Sequence, residues 1–486
     1  MPRTRSPLVQ LSRRSVLIAG GAAALHSAAR PLAGLAQAQF SAGRPAPADR
    51  RFTSPAIEAV IKETTRRIAD PRLAAMFEQC FPNTLDTTVF FEQQNDVPDT
   101  FIITGDIDAM WLRDSSSQVW PYLPFARQDG RLQAMLQGVV RRHARLILID
   151  PYANAFMRTP ADPPLSWAVH DDTTMLPGVA ERKWEVDSLC HVARLAHGYW
   201  QNTGDTTPFD VTWKASAWKI VETFREQQRR NGPGPYKFQR SSRIPSDTLP
   251  LGGYGNPARS IGLIFSMFRP SDDACIFPLF IPANLFAVQA LSFLSELARK
   301  AAQEERLAQA CDDLSREVRS ALTAHGTVQH GTLGNMWAYE VDGYGNALMM
   351  DDAGVPSLLS LPYLGCCASN DPLYQRTRRF VLSSDNPYFV KGTAAEGVGS
   401  PHAGQSNIWP MGIIVQALAS NDDQEIRQCL RWLRDTTAAT GFMHESFNKD
   451  DPSRFTRPWF AWANTLFGEL ILDLLQKKPH LLRESI

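Results

Sequence analysis

From Ser54 onward the chain alternates two textures: stretches in which apolar positions recur every three or four residues, and connecting segments rich in Gly, Pro and aromatic residues. SPAIEAVIKETTRRIAD opens on a serine cap and keeps an apolar stripe through Ile57, Val60 and Ile61, the spacing of an amphipathic helix. The same period predicts helices at 113–123, 129–148, 182–203, 211–230, 282–302, 304–324, 371–383, 406–420, 423–438 and 458–476, mostly in pairs. In AMLQGVVRRHARLILID and WEVDSLCHVARLAHGYWQNTGD the apolar positions spread over more than one side, as in the inner helices of a multi-helix assembly. Strand signal is confined to 87–91, 100–103 and a hairpin region at 328–350 punctuated by Gly331, Gly334, Gly343 and Gly345. The pattern predicts an all-α fold, a closed ring of helix pairs with β excursions in the loops. No shift in composition after residue 50 divides that ring into domains.

Composition narrows the function classes. The 486 residues are 44% hydrophobic, enough for a large core. Lys+Arg and Asp+Glu stand at 50 each, without a long basic run past the first residues, so nucleic acid is not expected as a partner. The seven cysteines (Cys80, Cys190, Cys275, Cys311, Cys366, Cys367, Cys429) are scattered through apolar patterns and read as small core residues. There is no CxxC and no Cys/His cluster at zinc spacing, so neither a structural metal nor a disulfide framework is expected, and no cofactor motif is visible. Near the start, Ser12-Arg13-Arg14-Ser15-Val16-Leu17, the apolar run IAGGAAAL and Ala36-Gln37-Ala38 form a twin-arginine export signal over 1–38. A linker at 39–52 and one domain at 53–486 follow. The apolar run falls short of the roughly 20 residues that span a bilayer, so the expected location is the periplasm or beyond, without stable membrane insertion.

The candidate chemistry centres on 104–125, TGDIDAMWLRDSSSQVWPYLPF. Asp106, Asp108, Arg113 and Asp114 fall within nine positions, interleaved with Met110, Trp111 and Leu112. Charges beside large apolar groups are costly to bury unless they pair or meet a polar ligand. The stretch therefore reads either as a pocket floor or as a helix start in which Arg113 is paired and Asp114 and Ser115 to Ser117 act as caps. The same mixture recurs in Trp167 to Asp172 with His170 and Asp171, in Arg269-Pro270-Ser271-Asp272-Asp273, in Asp351-Asp352, in the glycine-rich 392–407 with Glu396 and His402, and in 441–447 with His444 and Glu445. Each has a plain structural alternative. Ser271 to Asp273 also fit a helix cap, Asp351 and Asp352 fit a turn, and His444 fits a core histidine. The glycine-rich loop lacks the Lys-Ser/Thr ending of a phosphate loop. Acids at the ends of successive helices in a ring would converge on one rim. Many carboxylates, 12 Trp able to stack on sugar rings and no Ser-His or Cys-His signature suit glycoside hydrolysis by a pair of carboxyl groups.

Together, TGDIDAMWLRDSSSQVWPYLPF, KWEVDSLCHVARLAHGYWQNTGD, FRPSDDACIFPLFIPANLFAV, YEVDGYGNALMMDDAGVPSLLSLPYLG and GFMHESF resemble glycoside hydrolase family 125 over nearly all of the chain after the leader. The resemblance implies an (α/α)6 barrel with short β-hairpins in its loops. It also implies an exo-acting α-mannosidase that removes non-reducing terminal α-1,6-linked mannose with inversion and without a metal ion. By motif position Asp272 resembles the general acid, with Asp273 its adjacent rival, and Glu445 the general base. Asp272 is expected to be kept protonated by a partly apolar setting beside Phe268 and Phe277. Arg113 and Asp114 are the choices for gripping ring hydroxyls of a mannose-containing glycan. Asp108, Trp111, His170, Asp171, Asp273, Asp351, Asp352, His402 and His444 are further candidates for the pocket. The competing readings are an α-glucosidase or trehalase-like enzyme or a polysaccharide lyase on the same barrel, and a non-catalytic glycan-binding protein.

Overall fold

Local capping chemistry sets where the helices begin. Ser54 accepts from the Ile57 amide ahead of Pro55–Thr65, and Asp129 accepts from Arg131 and Leu132 ahead of Gly130–Ile149. Asp210 and Asp371 do the same for Val211–Glu226 and Pro372–Val381, and Gly204, in the left-handed region at φ 71°, ends Val186–Thr203. The computed structural model describes residues 43–95 and 97–486, and the twin-arginine segment lies outside the described residues. Among the described residues twelve α-helices are eight or more residues long.

Eleven of these sort into two layers, with Pro55–Thr65 packed on Pro71–Cys80 of the outer one. Leu112–Val119 is buried at every position, and Val186–Thr203, Ile281–Lys300, Pro410–Leu418 and Ala461–Lys477 are buried over most of their surface. The first packs on the second, the second on the third, the fourth on the fifth, and the fifth returns to the first. Between Ile281–Lys300 and Pro410–Leu418, buried turns carrying Val355, Leu358, Leu359 and Leu361 complete the inner layer. They are tied to it by a His191 ring nitrogen donating to the Val355 carbonyl at 3.1 Å, and to the outer layer by the Tyr374 hydroxyl donating to Leu359 at 2.9 Å. Outside lie Pro71–Cys80, Gly130–Ile149, Val211–Glu226, Glu305–His325, Pro372–Val381 and Asp423–Asp435, each presenting one apolar face inward. The result is an (α/α)6 barrel. One contiguous core runs through it; truncating one of its large rings, such as Phe77 stacked 5.0 Å from Phe81, costs about 3–5 kcal/mol.

The sheets are small, two or three strands each; the hairpin of Val89–Gln94 and Val97–Ile102 packs along Gly130–Ile149 and that of Thr327–His330 and Gly334–Trp337 on Pro372–Val381, while three others sit where inner helices begin. Met110–Trp111 pairs with Ala155–Phe156, which pairs with Val179–Glu181; Asn407–Ile408 pairs with Phe447–Asn448. Met110–Trp111, Leu279–Phe280 and Asn407–Ile408 each lead into an inner helix, so this rim collects the N-termini of inner helices and the loops before them.

Several boundaries differ from the periodicity. The helix predicted from 182 begins at Val186, because 179–183 is extended against Asn154, whose Oδ1 accepts from the Lys183 amide at 3.0 Å. The helix predicted from 406 begins at Pro410 for the same reason of strand pairing. The strand predicted from 87 begins at Val89, since Asn83–Thr87 is a short helix closed by Thr87 and Thr88 hydroxyls bonding back to the Asn83 and Thr84 carbonyls. Pro71–Cys80, capped by Asp70, is an additional helix. The described part of the predicted linker lies against the barrel: Arg44 pairs with Glu58 and with the buried Asp86.

Candidate active site

A pocket opens at this rim, with Ile107, Trp111, Trp409, Met411, Phe460 and Trp462 as its apolar wall and Arg113, Asp114, Asp272, His402, Glu445 and Arg457 as its polar lining. Trp111 and Asp114 are held by the strand-to-helix junction, where the Leu112 amide donates to the Asn154 carbonyl at 3.0 Å. Arg113, 3% exposed, is surrounded by acids. It donates to Glu185, lies 3.5 Å from both Asp114 and Asp187, and reaches Asp272 Oδ1 at 3.4 Å.

Asp272 sits on the turn 269–273, closed by its own amide donating to the Arg269 carbonyl at 2.9 Å. Its φ of 65° lies in the left-handed region, where Asp is better tolerated than most residues but still strained. Lys183 Nζ donates to its main-chain carbonyl at 2.8 Å, and Asn154 Nδ2 reaches its carboxylate at 3.4 Å. The partly apolar setting expected for this carboxyl is not what it meets. Burial pushes it up, but Arg113 and Lys183 outweigh that and hold it at about 2. Phe268 packs edge-on against Phe238 and under the Lys183 ammonium. Burial instead raises the neighbours: Asp114 to about 6, Asp187 to about 7 and Glu185 well above the usual carboxylate range.

Glu445 is held through both oxygens. Arg457 donates to one at 3.1 Å and the Thr456 hydroxyl to the other at 3.0 Å. Arg457 turns its remaining face to Asp106, at 2.6 and 3.0 Å. Near Asp272, His402 Nδ1 lies 3.6 Å from Asp273. Burial lowers the imidazole, but the Asp273 hydrogen bond and charge outweigh it and lift it to about 9, so at neutral pH it is a cation in the pocket lining.

Of the residues singled out from sequence, Trp111, Arg113, Asp114, Asp272, His402 and Glu445 line this one pocket. The others lie elsewhere. Asp273 is buried behind the lining, accepting from Ser246 at 2.8 Å. Asp352, also buried, accepts from Ser271 at 3.2 Å and Ser400 at 3.1 Å, tying together the turns that carry Asp272 and His402. Asp351 accepts from the amides of Leu358 and Leu359 and so braces the buried turns of the inner layer. His444 stacks on Phe455 with centroids 4.0 Å apart and donates from Nδ1 to the Arg457 carbonyl, which makes it a support for the residue that holds Glu445. Asp108 has a side chain 76% exposed beside Arg158, His170 is exposed, and Asp171 is engaged by Arg240 at 2.7 Å. The sequence reading missed Arg457, Thr456, Trp462, Glu185 and Asp187. Glu185 and Asp187 carried a usable signal, since WEVD before a helix repeats the acid and aromatic mixture of MWLRD.

Comparison with known proteins follows the same lines. Residues 70–472 match the model of the glycoside hydrolase 125 family, described as metal-independent α-mannosidases. The chain is 42% identical over 459 residues to the meiotically up-regulated gene 157 protein of Schizosaccharomyces pombe, spanning 91% of this chain and 90% of that one. Among solved structures it is similar to a metal-independent α-mannosidase of Streptococcus pneumoniae captured in a non-productive complex with α-1,6-mannobiose, with a TM-score of 0.83, 39% identity, and coverage of 88% of this chain and 100% of that one. A bacterial glucoamylase complexed with acarbose shares the fold, with a TM-score of 0.52 at 11% identity, covering 87% of this chain and 59% of that one. Matched by the family model over most of its length, this chain belongs to glycoside hydrolase family 125, the metal-independent α-mannosidases.

Proposed function

We propose that the protein is an exo-acting, inverting α-mannosidase that hydrolyses non-reducing terminal α-1,6-linked mannose from a glycan, with Asp272 as general acid and Glu445 as general base. The observation that carries this reading is the presence of Asp272 and Glu445, 173 positions apart in the sequence, in the lining of one aromatic-walled pocket. In this reading the Trp111 and Trp462 rings flank the sugar and Asp114 accepts from its hydroxyls. Asp272 donates a proton to the glycosidic oxygen as the bond breaks. Glu445, fixed by Arg457 and Thr456, takes a proton from the water that attacks the anomeric carbon from the other face. Inversion needs the two carboxyls roughly 6.5–9.5 Å apart to admit that water. The choice of linkage is supported by the disaccharide bound to the Streptococcus pneumoniae relative. Export to the periplasm through the twin-arginine segment belongs to the same proposal, and cell fractionation of the full-length chain checks it.

The deciding experiment follows hydrolysis of α-1,6-mannobiose by proton NMR. β-Mannose is expected as the first product, and initial release of α-mannose, or cleavage of α-glucosides but not α-mannosides, would sink the reading. Asp272→Asn and Glu445→Gln should each lower kcat by about 10²–10⁴-fold while the fold is retained. Undiminished turnover in either variant would remove that residue from the mechanism.

A further inference from the structure

Behind the pocket one guanidinium faces four carboxyl groups. Glu185, Asp114, Asp187 and Asp272 all lie within 3.5 Å of Arg113. The other cations near the cluster have their own partners: Lys183 pairs with Asp247 and bonds the Asp272 main chain, Arg457 is shared by Asp106 and Glu445, and His402 faces Asp273. Four ionised carboxylates around one Arg would leave a large uncompensated charge in a buried site, which is relieved by keeping protons on the acids.

The geometry indicates where one such proton sits. Glu185 is the residue before the inner helix Val186–Thr203 and is fully buried. Its Oε2 accepts from Arg113 and from the Ser188 hydroxyl at 2.8 Å, while its Oε1 is buried with no N–H or O–H donor among the described residues. Arg113 draws Glu185 and Asp272 to one guanidinium, its Nη1 donating to Glu185 Oε2 and its Nη2 reaching Asp272 Oδ1 at 3.4 Å. Two carboxyl groups share a hydrogen bond only when one of them carries the proton.

We propose that Glu185 is the positioning residue of the acid step, holding the proton that passes to Asp272 and from there to the glycosidic oxygen. This rests on the reading of Asp272 as the general acid. In the resting site the Glu185 O–H donates to the Asp272 carboxylate, which Arg113 and Asn154 also face. When a sugar displaces solvent from the pocket, the shared proton moves onto Asp272. As the bond from the anomeric carbon to the glycosidic oxygen breaks, that proton ends on the leaving hydroxyl. The attacking water gives its oxygen to the anomeric carbon and one proton to Glu445. The Glu185 and Asp272 pair, now one proton short beside Arg113, takes one from solvent while Glu445 returns one, and the site is restored.

The test is Glu185→Gln, which keeps the shape and a hydrogen-bond donor toward Asp272 but has no proton to pass on. With α-1,6-mannobiose, kcat is expected to fall about 10- to 100-fold with KM within about threefold, and the alkaline limb of kcat/KM to move at least about one pH unit lower. With a dinitrophenyl α-mannoside, whose leaving group departs without a proton, the loss should stay under about fivefold. Glu185→Asp should recover part of the mannobiose rate and the wild-type alkaline limb. Equal losses on both substrates with an unmoved pH profile, or an undiminished mannobiose rate, would overturn the proposal. If Glu185→Gln is inactive on both substrates through misfolding, Glu185→Asp decides by the comparison of the two substrates: an equal loss on both rejects the proposal, and a loss confined to mannobiose supports it. Failure of the underlying reading looks different, because the wild-type protein would then not cleave mannobiose at all or would do so unimpaired as Asp272→Asn.

Discussion

At the scale of single residues, the clearest division of labour is between groups that line the pocket and groups that hold them. Arg457 does both, since its guanidinium spans Glu445 and Asp106, two carboxylates 339 positions apart in sequence. A planar fork can bond both at once, and an ammonium cannot reproduce that geometry. Arg457→Lys is therefore expected to lower kcat/KM on α-1,6-mannobiose about 10- to 100-fold with thermal unfolding within a few degrees of the wild type. Full activity in that variant would show that Glu445 does not need the clamp. The same distinction explains what the sequence could and could not reveal. Asp272, Glu445, Arg113 and Asp114 sit in motifs dense with charge and aromatic side chains, and they meet in one pocket. Asp351 sits in an equally dense motif yet spends both oxygens on the backbone amides of Leu358 and Leu359. A string of residue types does not distinguish a carboxylate that serves a ligand from one that serves a turn.

At the scale of elements, most helices were legible from a repeating apolar face, Pro71–Cys80 with Leu73, Met76, Phe77 and Cys80 being passed over, and their starts were not legible wherever a strand partner lies far away in sequence. Nothing within 179–185 announces that Val179–Glu181 will pair with Ala155–Phe156 and delay the helix to Val186. The glycines inside helices carry a comparable message about packing. Gly138 lies in the interior of Gly130–Ile149, where an exposed glycine replaced by Ala would gain about 1 kcal/mol. Here a Cβ would stand 2.9 Å from the Thr100 amide nitrogen, because the helix presses on the strand Val97–Ile102, and the Thr100 hydroxyl already bonds the Met135 carbonyl at 2.7 Å. Gly138→Ala should thus reverse the usual sign and destabilise by about 1–3 kcal/mol in urea unfolding. A gain in stability would mean that the hairpin is free to move away from the helix.

At the scale of the whole molecule, the buried ionisable groups make opposing contributions to stability, and their balance sets its dependence on pH. Burial raises Asp114 and Asp352 to about 6, Asp187 to about 7 and Asp351 to about 8, against about 3.9 in the unfolded chain. Between those limits the folded protein holds protons that the unfolded chain has lost, so this stabilisation is full at low pH and disappears as pH rises through 6 to 8. His402, lifted to about 9, acts in the same direction, since its contribution is lost as pH rises through that value. Burial has the opposite consequence for His143, lowered to about 3, and for His191, lowered well below its usual value. Both stay neutral in the fold while the unfolded chain protonates below about 6.5, so their contribution is lost on acidification. Above pH 6.5 the carboxyls and His402 act almost unopposed. Below it four acids work against two histidines, each group changing stability by at most about 1.4 kcal/mol per pH unit. The melting temperature is therefore expected to peak at about pH 4, where the unfolded carboxyls begin to hold protons as well, and to fall by several degrees toward pH 8.5, with Asp187→Asn flattening the decline. Scanning calorimetry across that range checks this, and a melting temperature that climbs from pH 6.5 to 8.5 would show that the acids around Arg113 fold in their ionised state.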